Sequence, residues 1–446
     1  MFDKDVSRLI HFSSFFGFPQ ISLEPIRLRQ DSALAGDLIQ GAINKLKTTN
    51  SNVTNKPSFF AGSVDFMVKN IAGKKTFYVL ETNGGSSRGF SALPFKHWRQ
   101  AYDGYTETLN HIHKKNPLVV LASPNSDLLF YEKVLLAEHF LTKLKTFSEK
   151  AKTVAINNLE PKDLKGKPLV VIGDYQSIIP RVKLSNNYLT LDGKQIDVLI
   201  GDGAARRCAA VVKHLHKKSL KTIIVNDVFF ITDDKSLTYQ AVEMANKTLG
   251  LHGVEPIIFK RAFSYEDLYF KCRQALEELP EILIKPHGGS GGSGIDIITD
   301  KRQIKKKIES SISHYHNKFG QNRNPYPYTI CQRVEATPIT WNDSLRHFDI
   351  RVYIGRKGKA IVPTGALMRI ALEPFNGYFT KKSFVVNLSG YEGVDTDRGL
   401  GVSKASLALL GLSKNDFAKM FAVACSLCAY ISNNYQEIML ASKKDA

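Results

Sequence analysis

The sequence contains little cysteine, and its few cysteines suggest no metal or redox site. Five cysteines in 446 residues form no disulfide framework, and no two pairs are spaced as the four ligands of a structural zinc. Cys425 and Cys428 are spaced C-x-x-C but lie inside a helical pattern. We therefore expect these two side chains to lie on a buried helix face.

The sequence also lacks a long apolar run. The longest, "MFAVACSLCAYI" from Met420, has 12 residues, whereas a helix needs about 20 to cross a bilayer. The opening "MFDKDVSRLIHFSSFF" has acids where a secretion signal carries basic residues. We therefore expect a soluble, cytoplasmic protein with no membrane partner.

Acidic residues are fewer than basic ones. There are 61 lysines and arginines against 42 acids, a net charge of +19. Such a charge attracts polyanions and anionic substrates, although a lysine-rich surface is an equally good explanation. The sequence shows no nucleic-acid motif with interleaved aromatic residues, so nucleic acid is not a favoured partner. The length allows two or three domains.

A candidate metal site lies in "SVDFMVKNIAGKKTFYVLETNGG", residues 63–85. The pattern predicts a strand, a turn and a second strand. Asp65, Glu81 and Asn83 place oxygen ligands at the strand ends, and oxygen is what Mg²⁺ prefers. The alternative is that these are ordinary polar residues at the ends of strands.

A candidate phosphate loop lies in "EILIKPHGGSGGSGIDI", residues 281–297. Two short strands flank five glycines in seven residues, and glycines let main-chain N–H groups face phosphate oxygens. No G-K-[ST] follows, so this is not a Walker loop. Lys285 adds a positive charge, and His287 either contacts a phosphate or is an ordinary loop residue. The loop residues assigned to phosphate binding are Gly288, Gly289, Ser290, Gly291, Gly292 and Gly294. A flexible hairpin turn is the alternative.

The segment from residue 116 to 225 predicts a parallel sheet, because apolar strands alternate with helices. Asp192 and Gly193 mark a hairpin turn. The sequence Gly201-Asp202-Gly203 precedes a helix and either binds an anion or forms a tight turn, which we favour. Residues 1–59 contain no recognisable motif.

The phosphate loop resembles the glycine-rich loop of ATP-grasp enzymes, which are mostly carboxylate–amine ligases that act through an acyl phosphate. An Asp-Lys, helix and Pro-strand segment similar to the family's lies upstream, and its Lys235 is 50 residues before Lys285. This resemblance implies that Lys235 is a second phosphate ligand. "YTICQRVEA" is similar to the family's hinge, which implies that Gln332 and Val334 bind the adenine edge.

Further along, "RHFDIRVYIGRKGKAIVPTGALMRIA" is similar to the family's substrate-facing strands. The resemblance implies that Arg351 and Arg369 stabilise the acyl phosphate and the tetrahedral intermediate. Asn387 stands in an Asn-Leu-Ser turn that resembles one in some members.

The order of segments differs from that in most ATP-grasp enzymes. The Asp and Glu-x-Asn expected near the C-terminus occur near the N-terminus, as Asp65 and Glu81-Thr-Asn83. The sequence therefore resembles a circularly permuted ATP-grasp fold: an α/β (α+β lobes) protein with a central Rossmann-like domain. The expected parts are residues 1–115 (metal-binding strands of the C-lobe), 116–230 (Rossmann-like domain), 231–335 (lobe with the glycine-rich loop) and 336–446 (remainder of the C-lobe).

The resemblance implies ATP and Mg²⁺ as cofactors and a ligase that joins a carboxylate to an amine, releasing ADP and phosphate. The substrates are expected to be small molecules or peptides, including an acidic acceptor. Because many members of the family form dimers, the resemblance also allows a homodimer. Two alternatives stay open: a small-molecule kinase on the same scaffold, and a basic nucleic-acid-binding protein with a degenerate ATP site.

Overall fold

The computed structural model describes residues 21–47, 50–54, 59–84, 88–124, 127–201, 203, 220–232, 234–289, 291–377, 380–386, 388–390 and 393–444. Most of the strands in these ranges belong to three sheets. The strands are β1 Ala61–Ile71, β2 Lys74–Asn83, β3 Leu118–Ser123, β4 Lys152–Ala155, β5 Leu169–Asp174, β6 Val182–Ser185, β7 Tyr188–Leu191, β8 Lys194–Gln195, β9 Val198–Ile200, β10 Ile223–Val225, β11 Phe259–Ala262, β12 Ile282–Lys285, β13 Asp296–Ile298, β14 Tyr328–Gln332, β15 Ile339–Trp341, β16 Ser344–Arg346, β17 Phe348–Lys357, β18 Ala360–Ile370, β19 Ser389–Gly390, β20 Gly393–Val394 and β21 Gly399–Gly401.

Helices cover the sheets. The α-helices are α1 Glu24–Leu28, α2 Ser32–Leu46, α3 Phe95–Thr106, α4 Phe130–Lys145, α5 Tyr175–Ile178, α6 Phe229–Thr232, α7 Lys235–Met244, α8 Asn246–Leu249, α9 Tyr265–Glu278, α10 Ile304–Phe319, α11 Lys381–Phe384, α12 Lys404–Leu409, α13 Lys414–Asn433 and α14 Tyr435–Lys444. Short 3₁₀ turns lie at Phe90–Ala92, Glu107–His111, Ile156–Asn158, Pro161–Leu164, Ile179–Arg181, Gly250–His252 and Lys301–Gln303. Within the described ranges, no helix is long and apolar enough to span a membrane.

The first sheet joins strands that are distant in sequence. Its order is β2-β1-β17-β18-β21, and every neighbouring pair is antiparallel. The hairpin predicted for residues 63–85 is therefore confirmed, and its two strands are β1 and β2. Gly85 lies outside the described residues. These early strands pair in one sheet with the later strands that carry Arg351 and Arg369.

Strand alternation gives this sheet two different faces. Val64, Phe66 and Val352 point into the main core, against α13 and α2. The intervening residues of β1 and β17, Asp65 and Arg351, point to the opposite face. The sequence pattern therefore reserves one face for packing and leaves charged side chains on the other.

The second sheet is four-stranded and antiparallel, in the order β11-β14-β12-β13. Ile282 and Ile284 pack with residues of α9 and α10. The alternating residues Leu283 and Lys285 point away from these helices, and Leu283 packs with Tyr78 of the first sheet. A cleft between the two sheets is therefore lined by one face of each.

The third sheet is parallel, in the order β10-β9-β3-β5-β4, as predicted for residues 116–225. The predicted turn at Asp192-Gly193 is present, with both residues at positive φ. Asp202 and the helix predicted after Gly203 lie outside the described residues. The predicted boundaries after residues 115, 230 and 335 remain predictions.

Pairing and capping set the bounds of two further segments. β11 begins at Phe259, where it pairs with Cys331 of β14, and continues to Ala262. The segment from Lys404 to Asn433 forms two helices, α12 and α13, because Gly411 at φ 62° ends the first and Ser413 caps the second. Cys425 and Cys428 lie fully buried on α13, as expected.

Candidate active site

A β-bulge aligns the acids of the first hairpin. Asp65 pairs with Glu81, but the next residue, Phe66, pairs with Val79, so Leu80 is the extra residue. Without the bulge, strict alternation from Val79 would point Glu81 into the core. The bulge instead places Glu81 on the face that carries Asp65, and Asn83 follows on the same face opposite Ser63.

Asp65 lies between the two arginines predicted to be catalytic. Its Oδ1 accepts from Nε of Arg351 at 2.8 Å, and its Oδ2 accepts from Nη2 of Arg351 at 2.7 Å and from Nη2 of Arg369 at 2.8 Å. Nε of Arg369 donates to Oδ1 of Asp349 at 2.8 Å, and Arg369 also pairs with the other oxygen of Asp349. These four side chains form one buried network on adjacent strands.

The two acids of this network experience opposite shifts. Burial alone would raise the pKa of Asp65, but Arg351 and Arg369 outweigh it and hold that pKa well below its usual value. Burial raises the pKa of Asp349 above its usual value despite the attraction of Arg369, and the charge of Asp65 adds to the rise. The network therefore keeps Asp65 ionised.

Lysines from the second half of the chain complete the site. Nζ of Lys235 lies 3.0 Å from Oε2 of Glu81. Nζ of Lys285 donates to Oη of Tyr239 at 2.8 Å, and Tyr239 is one helical turn after Lys235 on α7. Burial would lower the pKa of Lys235, but Glu81 raises it above its usual value. Both predicted lysines thus reach the cleft beside the acids.

Asp234 anchors the start of α7. Its Oδ1 accepts from the backbone N–H groups of Ser236 and Leu237 at 2.9 and 3.3 Å, as an N-cap does. Its Oδ2 lies 3.3 Å from Nη2 of Arg261 and 3.4 Å from Nδ1 of His287. The His287 contact is an ion pair by distance but does not have hydrogen-bond geometry. His287 therefore faces the cap of α7.

The glycine-rich loop is held by backbone conformations that suit glycine. Gly288, Gly291, Gly292 and Gly294 all have φ between 61° and 75°. A Cβ on Gly294 would lie 2.6 Å from Cγ of Pro286. The loop is anchored where Nη2 of Arg323 donates to the Gly288 carbonyl at 3.1 Å, and where Ser311 donates to that of Gly294. Gly289 belongs to the same turn, while Ser290 lies outside the described residues.

An apolar cluster lies between the two sheets near the predicted hinge. Val334 is buried in it, and Gln332 lies at the end of β14, with its N–H donating to the Ile258 carbonyl at 2.9 Å. The cluster contains Tyr78, Tyr239, Ile257, Leu283, Cys331, Val334 and Ala336, with Met67, Leu80, Phe259, Ile295, Ile297 and Phe384 packed at its edge. It joins the facing surfaces of the two sheets.

Two of the predicted oxygen ligands are suited to bind a metal ion. In the described ranges, no group of three or more His, Cys, Asp or Glu side chains is arranged to hold a metal ion. Glu81, however, keeps 28% side-chain exposure, and Nδ2 of Asn83 is buried without a hydrogen-bond partner. Rotating that amide would turn Oδ1 to the same position. Glu81 and Asn83 thus fit Mg²⁺ as oxygen ligands, since Mg²⁺ takes its remaining ligands from phosphates and water.

Comparison with known proteins rests on structure. No family model matches the chain, and no curated protein does. A provisionally named gamma-glutamylcysteine synthetase from Methylobacillus flagellatus KT is similar at a TM-score of 0.51 and 14% identity, over 92% of this chain and 97% of that one. A glutathione synthetase-like effector from Globodera pallida matches at 0.41 and 13% identity, over 82% and 83%. A RimK domain ATP-grasp protein from Sphaerobacter thermophilus matches at 0.28 and 12%, over 68% and 98%.

The chain has the ATP-grasp fold. Within it, the structure brings together Asp65, Glu81, Lys235, Lys285 and Arg351, which the sequence analysis had selected from four separate segments. Asn387 lies outside the described residues. The roles assigned to all these residues remain predictions.

Two residues that contact these side chains were not predicted. Tyr239 binds Lys285, and its signal was its position four residues after Lys235 on one helix face. Asp349 binds Arg369, and its signal was its alternation with Arg351 on β17. Each could be found in the sequence only from its spacing to a residue that was already a candidate for the site.

Proposed function

We propose that this protein is an ATP- and Mg²⁺-dependent ligase that joins a carboxylate to an amine through an acyl phosphate. The observation that carries the proposal is the 3.0 Å contact between Lys235 and Glu81. It brings an acid from the early hairpin and a lysine from the middle of the chain together, and Nη2 of Arg351 lies 3.6 Å from the same acid.

The lysines and the loop are suited to hold a triphosphate. Lys235 and Lys285 supply positive charge, and the glycine-rich loop supplies backbone N–H groups free of side-chain obstruction. Glu81 and Asn83 would hold Mg²⁺, which neutralises phosphate charge when bound. Transfer of a phosphoryl group to a carboxylate depends mainly on such positioning and neutralisation.

Arg351 is placed to stabilise the negative charge that develops during transfer. Its guanidinium is fixed by Asp65, and its side chain keeps 15% exposure. A fixed donor aimed at developing charge lowers a barrier more than a mobile one. Arg369 lies deeper, at 9% exposure, and fixes the other side of Asp65.

The apolar cluster supports adenine binding between the two sheets. Its edge residues, such as Met67 and Leu80, are only partly buried and can pack against a flat base. The main chain near Gln332 and Val334 lies at the same place and would contact the adenine edge.

The strand order supports a circular permutation. β1 and β2, which carry Asp65, Glu81 and Asn83, pair beside β17 although more than 250 residues separate them in the sequence. We propose that these strands correspond to the C-terminal catalytic strands of unpermuted ATP-grasp enzymes.

The experiment is a product analysis with ATP, Mg²⁺ and pairs of amino acids or short peptides, acidic acceptors included because of the net charge of +19. A ligase forms one ADP and one phosphate per amide bond. A kinase forms ADP and a phosphorylated product without free phosphate. Lys285→Met should reduce turnover by about 100-fold or more, whereas the exposed Lys301→Met, which loses only a pair with Glu277, should not.

Absence of ATP turnover with every pair, combined with nucleic-acid affinity that falls steeply with salt, would contradict the proposal. That result would favour a basic nucleic-acid-binding protein.

A further inference from the structure

The site contains a continuous chain of ionic side chains in which the sign of the charge alternates at each step. Beyond the pairs described above, Nη2 of Arg351 lies 3.6 Å from Oε1 of Glu81, which links the arginine network to Lys235. In order, the chain is Asp349, Arg369, Asp65, Arg351, Glu81 and Lys235.

Asp65 is the central acid of this chain and its most enclosed member. Its side chain is 2% exposed, and three guanidinium N–H groups donate to its two oxygens. Glu81 differs in both respects, because it is 28% exposed and its nearest cationic partner is Lys235, at the open end of the chain.

A divalent cation at Asp65 would meet unfavourable neighbours. It would have to displace guanidinium donors that are themselves positively charged, and it would then lie beside Arg351 and Arg369 with little water to screen the repulsion. A cation at Glu81 would instead arrive with the phosphates of the nucleotide. Glu81 would then pair with the cation, and Lys235 with the phosphates.

The arginines depend on the acids in turn. Arg351 and Arg369 carry two positive charges, and Asp65 and Asp349 carry up to two negative ones, so the arginines contribute little net attraction. Their value to a reaction lies in the fixed direction of the remaining N–H groups. That direction is set by the bidentate contact of Asp65 with Arg351 and by the contacts of Asp349 with Arg369.

We infer that Asp65 is a positioning residue that orients Arg351 and Arg369, with Asp349 as its counterpart, and that it does not bind the metal ion. The cation is left to Glu81 and Asn83. This inference rests on the proposed function for the role of the arginines, but the statement about Asp65 and the metal does not require knowledge of the substrates.

The test uses Mn²⁺ as the probe and the full chain with a non-hydrolysable ATP analogue. Mn²⁺ affinity is measured by electron paramagnetic resonance for wild type, Asp65→Asn, Asp65→Glu and Glu81→Gln. Glu335→Gln is the matched control, because Glu335 pairs with Lys69 of β1 but is 63% exposed. Thermal unfolding establishes that each variant is folded.

Glu81→Gln should weaken Mn²⁺ binding by about 10-fold or more, and Asp65→Glu, which keeps the negative charge beside the two arginines, should stay within about twofold of wild type. Asp65→Asn should lower the kcat of ADP formation by about 100-fold with little change in the KM for ATP, since misdirected arginines affect the reaction and not nucleotide binding. Asp65→Glu should restore part of kcat.

Loss of Mn²⁺ affinity in Asp65→Glu equal to that in Glu81→Gln would overturn the inference. If Asp65→Asn does not fold, Asp65→Glu decides, since it keeps the charge but shifts the carboxylate by one methylene. If no substrate pair gives turnover while Mn²⁺ binding follows the expected pattern, the proposed function fails and the exclusion of Asp65 from the metal site stands.

Discussion

The ammonium group of Lys235 and the carboxylate of Glu81 lie 3.0 Å apart and neutralise each other. Both are groups that a metal–nucleotide complex would engage, the lysine through phosphate and the acid through the cation. Binding of the complex should therefore replace one internal pair by two new ones. Nucleotide alone can satisfy only the lysine and leaves Glu81 beside the phosphates.

The first prediction concerns Glu81 and metal-free ATP. Glu81→Gln removes the negative charge that opposes phosphate, so affinity for ATP in the presence of EDTA should equal or exceed that of wild type. The gain in affinity on adding Mg²⁺ should shrink by about 10-fold, because one carboxylate ligand is lost. Calorimetric titration with and without Mg²⁺ measures both. Weaker metal-free binding would show that Glu81 does not oppose the phosphates.

The second prediction concerns Tyr239. Tyr239→Phe removes the hydroxyl that accepts from Lys285 at 2.8 Å, which should cost about 1 kcal/mol of unfolding free energy and leave Lys285 less well placed. ATP affinity should fall by a factor of about 5. Tyr315→Phe is the control, since that buried tyrosine donates to the Asn324 carbonyl in the same lobe. Equal losses of ATP affinity in the two variants would argue against a role for Tyr239 at the lysine.

The third prediction concerns the glycine-rich loop. Gly294 and Gly320 both have positive φ, but only the Cβ of an alanine at 294 would meet Pro286, at 2.6 Å. Both substitutions carry a backbone cost on the order of 1–3 kcal/mol, because residues other than glycine rarely adopt positive φ. Gly294→Ala should in addition distort the loop and weaken ATP binding by about 10-fold, whereas Gly320→Ala should leave ATP affinity unchanged. Comparable ATP affinities would contradict a phosphate-binding role for the loop.

The fourth prediction concerns pH and Asp234. Burial alone would raise its pKa, but His287 and Arg261 lower it from 3.8 to about 2. A lowered acid pKa stabilises the folded state above the unfolded pKa, here by about 2 kcal/mol. This contribution is lost as the pH falls from about 4 to 2. The difference in unfolding free energy between wild type and Asp234→Asn should therefore be largest above about pH 4 and shrink below it in urea titrations. A difference independent of pH would mean that the Asp234 charge contributes nothing.

The sequence was sufficient for features that depend on local patterns. The hairpin with Asp65, the loop after Lys285 and the helix that begins at Lys235 each combine alternation, glycine spacing or a cap with a recognisable residue. The order of segments predicted that they lie close together, and the structure brings Lys235 to Glu81 of the hairpin.

Features that depend on tertiary contacts could not be predicted. The bulge at Leu80, which turns Glu81 to the face of Asp65, has no glycine or other marker in the sequence. Whether Asp65 faces a metal ion or an arginine depends on the side chains of β17 and β18, which lie more than 280 positions away in the sequence. A carboxylate that binds a metal ion and a carboxylate that accepts from an arginine cannot be told apart in a sequence.

The central claim is that strands from the start of the chain and the loop after Lys285 form a single nucleotide site. It is tested most directly by a structure with Mg²⁺ and a non-hydrolysable ATP analogue. The account predicts the triphosphate between Lys235 and Lys285, with a cation held by Glu81 and Asn83. A nucleotide bound outside this cleft, or a cleft that stays empty at saturating nucleotide while Lys235 remains paired with Glu81, would contradict it.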